Sequence, residues 1–412
     1  MPTKAPDLDW LISVDDHVLE PPGVWQDRVP AKLKDRAPRL VRDEVGEAWL
    51  YDGRRFSTFG LSATAGKAKQ EFSADPISYQ DMRPGCYDPV ARVADMDQAG
   101  VLASLCFPSF PRFCGQTFYE ATDHELGLLC VKAYNDWMLD EWCASAPGRL
   151  IPQILIPLWD PVAAAAEIER CAGMGARAVT FSENPARLGL PSIHNPDRYW
   201  DPVLGAVADA GMVLCMHIGS SSAVPSMSDE APALVTYAWS FAAMASGTLC
   251  DWLFSSVFQR FPSLQIALSE GGIGWIPYFL ERAEQVVDKQ RHLAARGDSI
   301  ADIRTGIVTH RANEIDFDSF DVRRVFREHI HGCFIEDTMG VANLDRIGID
   351  NVMMEVDYPH SDSTWPRCID AARTQLAALP DEDAYKVLRG NAERLFRFTP
   401  SVPAGLLAGT TS

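Results

Sequence analysis

DPVLGAVADAG at 201–211 runs directly into MVLCMH at 212–217. The first segment has the spacing of an amphipathic helix and ends on Gly211, a residue suited to a left-handed helix stop. The second is a short, continuous apolar run that closes on a histidine. Buried parallel strands read this way, because both of their faces are covered. Helix, glycine and buried strand in that order make one βα repeat.

The same grammar extends in both directions. Apolar runs of strand length occur at WLISVD (10–15), GVLASLCF (100–107), LIPQILIP (150–157) and ARAVTFS (176–182). They continue past 217 at LQIALS (264–269), HIHGCFI (329–335) and NVMMEVD (351–357), giving eight in all. DPVAAAAEIERCAGMG (160–175) is a second helix of the same kind. Eight such units predict a (β/α)8 TIM-like barrel, with an open doubly wound sheet as the rival architecture. The barrel is expected to occupy residues 1–398, with a frayed tail over 399–412.

The first two strands are roughly 85 residues apart, far more than a normal connection. An insertion is therefore expected over about 38–90. Within it, EAWLYDGRRF alternates around Asp52-Gly53, a type I′ hairpin signal. The stretch after it, about 57–90, has little period and is expected to lie as a loop over one end of the barrel. GSSSAVPSMSDEAP (219–232) follows the fifth strand and is expected to be a mobile loop on the face where barrel active sites form.

Bulk properties narrow the function. The 412 residues carry 37 Lys and Arg against 56 Asp and Glu, a net charge of −19. That balance argues against nucleic acid and against an anionic lipid surface. No apolar stretch is expected to approach the ~20 residues of a membrane span. The N-terminus MPTKAPDLDW lacks a secretory pattern, and the ten cysteines are scattered without a CxxC pair. Buried reduced thiols and a cytoplasmic location are the expectation.

Chemistry concentrates at strand ends. Asp15 and His17 in VDDHVLEPP are two apart, so an extended chain turns both to one side. A carboxylate beside an imidazole suits zinc, and also manganese. His217 shares parity with Val213 and Cys215 and continues their inward row. Met353, Glu355 and Asp357 share one face of the last strand, and two carboxylates aimed at a core need a cation or a partner. Pro359 ends that strand and puts His360 and Asp362 on the loop beyond. Glu270 closes the sixth strand among glycines in IALSEGGIGWIP. It is read as an acid or base, an additional ligand, or a helix cap. Four strands thus end in metal-type or proton-transfer residues on one barrel face. The expected metal set is Asp15, His17, His217 and Asp357. Glu270, Asp357 and His360 are the candidate catalytic groups. Glu20, Trp275 and Glu355 are expected to touch substrate or support the ligands.

With those residues in place, the chain resembles the amidohydrolase superfamily. More narrowly, it is similar to its second family, related to aminocarboxymuconate semialdehyde decarboxylase and γ-resorcylate decarboxylase. DMDQAGV (95–101), YNDWMLDEW (134–142), GRLIPQILIPLWD (148–160), GIGWIPYFLERA (272–283), DYPHSDSTWP (357–366) and GNAERLF (390–396) carry the likeness. The resemblance implies an acid-x-His pair on strand one, a strand-five histidine and a strand-eight aspartate. These land on Asp15, His17, His217 and Asp357. Two positions depart from it. The decarboxylases have His-x-His or Glu-x-His on strand one, and a histidine where this chain has Glu270. The implied protein is a homodimer holding one divalent metal, zinc before manganese, and acting on a small molecule. Decarboxylation of a carboxylated aromatic or conjugated compound is the preferred reaction. Hydrolysis of an amide, ester or lactone by metal-activated water is the second, and a barrel retained only for binding is a third.

Overall fold

The computed structural model describes residues 7–302, 306–310 and 314–403. All eight predicted strands form: β1 (Leu11–Val18), β2 (Val101–Pro108), β3 (Leu150–Ile151 and Gln153–Ile154), β4 (Ala178–Ser182), β5 (Val213–His217), β6 (Gln265–Ser269), β7 (Ile330–Phe334) and β8 (Val352–Met354). Every pairing between them is parallel and joins neighbours in sequence. Pro152 splits β3, since it has no N–H for a ladder. The first half of β3 pairs with β2 and the second with β4. The Pro152 carbonyl still accepts from the amides of Arg177 and Ala178. Backbone bonds from Asp357 N to Asp15 O (2.8 Å) and from His17 N to Tyr358 O (2.7 Å) stitch the end of β8 to β1.

The helices between strands are α1 (Pro89–Ala99), α2 (His124–Trp137), α3 (Pro161–Gly173), α4 (Asp201–Ala210), α5 (Ala233–Leu253), α6 (Ile276–Ala295), α7 (Val322–His329) and α8 (Cys368–Leu376). Asp88, Asp123, Asp160 and Asp321 cap α1, α2, α3 and α7 by accepting first-turn amides, each worth about 1 kcal/mol. Gly211 ends α4 at φ 61°, and a Cβ there would lie 2.0 Å from the Arg397 guanidinium. Glycine adopts that left-handed stop without steric cost.

Ile12, Val14, Ala103, Leu105, Phe107, Ile151, Ala178, Val213, Cys215, Ala267, Cys333 and Met353 pack together as one buried cluster inside the barrel. Ala392, Leu395 and Phe396 join it near the strands' N-terminal ends. The larger cluster lies between the strands and the helices. All ten cysteines are free thiols, and all but Cys250 are buried.

The inward row of β1 holds a surprise of phase. Ile12 and Val14 point inward, so simple alternation would turn Asp15 and His17 outward. Between Ser13 and Asp16, however, β1 spends three steps where β2 spends two, from Ser104 to Cys106. This bulge resets the alternation, and Asp15 and His17 reach the interior.

The insertion contains the Asp52-Gly53 hairpin, with both residues at positive φ (48° and 70°). It is larger than predicted: Arg39–Asp43 adds a third antiparallel strand to Gly46–Tyr51 and Arg54–Phe56. Beyond it, Thr58–Phe59 pairs with Pro76–Ile77. The amides of Thr64 and Ala65 donate to Pro359 O, which seats the insertion on the turn after β8. An antiparallel pair, Asp298–Asp302 with Ile307–His310, follows α6 and had no sequence counterpart. The expected frayed tail begins docked, because Ser401 N donates to Gly148 O at 2.8 Å; residues 404–412 lie outside the described residues. The expectation about spans is corrected by α5. Its 21 residues, with an 18-residue window of mean hydropathy 1.2, are long and apolar enough by length and composition to cross a membrane, although it follows β5 as a barrel helix.

Candidate metal centre

Four strand ends meet on the C-terminal face. His17 Nε2 lies 3.5 Å from Asp15 Oδ1 and 3.1 Å from Asp357 Oδ1. His217 Nε2 lies 3.5 Å from Asp15 Oδ2 and 3.2 Å from Glu270 Oε2. His360 Nδ1 lies 2.9 Å from Asp357 Oδ1. Asp15, His17 and His217 each offer a ligand atom within 4.8 Å of the others, and so do His17, Asp357 and His360. His17 belongs to both groups. The four expected metal residues are thus brought together, with Glu270 and His360 at either side.

Both oxygens of Asp15 and of Asp357, and Nε2 of both histidines, are buried without a hydrogen-bond partner. Each such atom costs about 1–3 kcal/mol when left unmet, and a cation beside His17 would meet atoms of either group. The tautomer of His217 agrees. Its Nδ1 lies 2.6 Å from Ile218 O, and a carbonyl only accepts, so Nδ1 carries the proton and Nε2 presents its lone pair. Stacking fixes both rings: His217 on Phe113 at 4.0 Å and His17 on His360 at 3.7 Å.

The electrostatics also call for a cation. Burial pushes the Asp15 carboxyl well up, and Glu355, Asp357, Glu270 and Asp16 push it further. Burial, then Asp357 and Glu355, do the same to Glu270. Burial lowers His217 to about 4, and burial with His360 holds His17 well below the usual imidazole range. Burial raises Asp357 too, but His360 and His17 outweigh it and hold that carboxyl down. Neutral imidazoles are the form a metal needs, and a divalent ion would reverse the mutual elevation of the acids.

Glu355 and Glu270 form a unit. Glu270 sits at φ 61° and Asp357 at φ 57°, left-handed conformations that cost non-glycine residues about 1–3 kcal/mol each. Both Glu355 oxygens accept the Glu270 amide, at 3.1 Å each. That clamp aims the Glu270 carboxylate at His217. The helix-cap reading of Glu270 is overturned. Helix α6 begins only at Ile276, and Asp337 takes the amides of Ile273 (2.7 Å) and Gly274 (2.6 Å).

Two expected residues do other work. Glu20 accepts from the amides of Ser109 and Phe110, both at 2.9 Å, and so holds the loop that carries Phe113. Its burial raises it to about 7 despite those bonds. Trp275 spends its indole N–H on Gly271 O at 2.7 Å and packs with Ile218 and Met244.

Sequence reading missed the layer behind the ligands. Asp16, on the opposite side of β1, accepts from Ser13, Ser104 and the Tyr358 amide. Burial raises it to about 6 even with Arg92 nearby. Arg92 is 1% exposed and donates to His17 O. An arginine on the inner face of an amphipathic helix was the available signal. Glu183 was missed too; it accepts from Gly219 N and Ser221 Oγ, just after His217. The predicted mobile loop is therefore anchored at its start, where Arg112 also donates to Ser222 Oγ at 3.0 Å.

A barrel whose C-terminal face gathers an Asp-x-His pair, a strand-five histidine and a strand-eight aspartate defines a class, and the comparisons agree with it. The amidohydrolase family model matches residues 23–398, and the chain belongs to that family. A γ-resorcylate decarboxylase of Rhizobium radiobacter is 26% identical over 297 residues, covering 67% of this chain and 78% of that one. An amidohydrolase from Mycobacterium avium subsp. paratuberculosis K-10 superposes with TM-score 0.67 at 19% identity, covering 96% of this chain and 99% of that one. A 5-carboxyvanillate decarboxylase from Novosphingobium aromaticivorans, complexed with manganese and 4-hydroxy-3-methoxy-5-nitrobenzoic acid, superposes with TM-score 0.61 at 16% identity. That match covers 95% of this chain and 97% of the other.

Proposed function

We propose that the protein is a divalent-metal-dependent decarboxylase of a small carboxylated aromatic compound. One observation carries the reading: the unpartnered lone pairs of Asp15 and His217 on one side, and of Asp357 on the other, gather around His17 beneath the C-terminal face. The decarboxylase relatives supply the reaction class. A metal held there would chelate the substrate carboxylate with a neighbouring oxygen and polarise them.

The chain's own residues do the rest. His17, locked by His360, and His217, locked by Phe113, keep the ligand geometry fixed. Glu270, aimed by Glu355, delivers the proton that replaces CO2 at carbon. His360 and Asp357 form the proton relay on the far side. The donor set of two imidazoles and two or three carboxylates suits zinc and manganese alike. Its oxygen-rich half, with the manganese in a related enzyme, favours manganese over the zinc expected from sequence. The homodimer implied by the family is part of the same proposal, and sedimentation equilibrium tests it.

The reaction is tested in D2O with a panel of hydroxybenzoates. Deuterium at the vacated ring carbon with CO2 release supports decarboxylation. Uptake of 18O from water without CO2 would establish hydrolysis instead.

A further inference from the structure

β4 and β5 run in register, with Ser182 opposite His217. Glu183, the residue after β4, therefore stands beside the Ile218–Gly219 peptide. That peptide is engaged at both ends. Its carbonyl, Ile218 O, accepts from His217 Nδ1 at 2.6 Å. Its N–H, on Gly219, donates to Glu183 Oε1 at 3.1 Å. A trans peptide sets N–H and C=O antiparallel, so the two bonds polarise it in the same sense. Carboxylate, peptide and imidazole form one chain that ends at the Nε2 lone pair of His217.

The carboxylate is fixed in place. Glu183 is 4% exposed, and its Oε1 also accepts from Ser221 Oγ at 2.7 Å. Its amide donates to Ser220 Oγ at 2.8 Å, and Thr248 Oγ1 donates to its carbonyl at 3.4 Å. Burial raises its carboxyl, and the bonds from Ser221 and Gly219, with Arg187 nearby, pull it back toward the charged form.

We propose that Glu183 is a positioning residue for the metal, acting on His217 through the intervening peptide. In a carboxylate–histidine–metal triad the acid accepts the imidazole N–H directly, which fixes the ring and makes it a stronger ligand. Here one peptide group stands between them. The carboxylate charge draws on the Gly219 N–H, leaves more negative charge on Ile218 O, and so strengthens the bond from Nδ1. Nε2 becomes the better donor to a cation. No proton moves along the chain. His217 acts here as a ligand of the divalent metal, so this role rests on the function proposed above.

Glu183→Gln keeps an oxygen for the Gly219 amide and removes the charge. The low-field proton resonance of His217 Nδ1, assigned by its loss in His217→Ala, is followed in metal-free protein and in protein loaded with zinc, which is diamagnetic. It should move upfield in Glu183→Gln, and zinc titrated against a competing chelator should bind ~10- to 100-fold more weakly. Ser221→Ala loosens the loop but leaves the Gly219–Glu183 bond, so its zinc affinity should stay close to that of the wild type. Equal weakening in both variants would reduce Glu183 to an anchor of the loop and overturn the relay. Glu183→Gln matching the wild type in both resonance and affinity would do the same. If Glu183→Gln does not fold, the wild type decides. Zinc on Nε2 should strengthen the whole chain and carry the Gly219 amide proton downfield; an unmoved resonance would overturn the relay. Wild type that binds no zinc would remove the metal centre and the relay with it, whereas the failures above leave the metal centre standing.

Discussion

His217 presents one lone pair because Ile218 O accepts the proton on its other nitrogen, and His17 is stacked on His360 at 3.7 Å. Neither ring has slack to offer another residue's place. His17→Ala and His217→Ala are each expected to abolish metal retention while the far-ultraviolet circular dichroism stays unchanged. Full metal content in either purified variant would remove that residue from the ligand set. Glu270→Gln keeps the shape and loses the transferable proton. It should lower kcat by ~10²–10⁴ with metal still bound; metal lost together with kcat would make Glu270 a ligand instead. The ligand residues were legible because each ends an apolar run. The Glu355 clamp was not. Parity placed Glu355 inward, but its task depends on the left-handed turn at Glu270, and glutamate gives no cue for such a conformation.

At the scale of elements, loops are held by buried acids. Glu20 clamps the loop after β2, and its carboxyl rises from 4.5 to about 7 through burial. A carboxyl raised in the folded state adds stability that is complete below its unfolded value and fades as pH climbs through its folded one. The wild type should therefore lose up to a few kcal/mol between about pH 4.5 and 7.5 through this group. Glu20→Gln lacks that slope, so its deficit against wild type should shrink as pH rises. Urea unfolding at pH 5 and pH 8 measures it, and an unchanged difference would rule out Glu20 as the source. The 219–232 segment divides likewise. Residues 219–222 are bonded to Glu183 and Arg112, whereas Val224 and Met227 are exposed. Ligand-dependent hydrogen exchange is expected over 223–232, with little change at 219–222. Sequence showed only Ser and Pro without period, which says nothing of a glutamate arriving from β4.

For the whole molecule, eight strands and the face they share were readable, since buried parallel strands announce themselves by unbroken apolar runs. The split of β3 was also written in the sequence, at Pro152. The antiparallel pair after α6 was not, because those residues carry no strong alternation. The acids that crowd the centre make the fold dependent on what neutralises them. Chelation should lower the midpoint of thermal unfolding by several degrees at neutral pH. Free ion at 100 times its dissociation constant contributes about 2.7 kcal/mol. An identical melting curve with and without chelator would separate metal binding from folding.

The bulge in β1 has a further bearing on how this barrel can be rebuilt. Its first strand is two half-sentences with a comma between Val14 and Asp15. Ile12 and Val14 are in step with the core below, and Asp15 and His17 are in step with the ligands above. A graft that kept the sequence but flattened the bulge, aligned from Leu11 forward, would turn Asp15 and His17 to the helices and bring Asp16 and Val18 to the mouth. A graft counted backward from His17 would deliver the chemistry and expel Ile12. Only the strand transplanted whole, comma included, keeps floor and mouth in register. The unit of inheritance here is therefore the interruption as much as the Asp-x-His motif it serves.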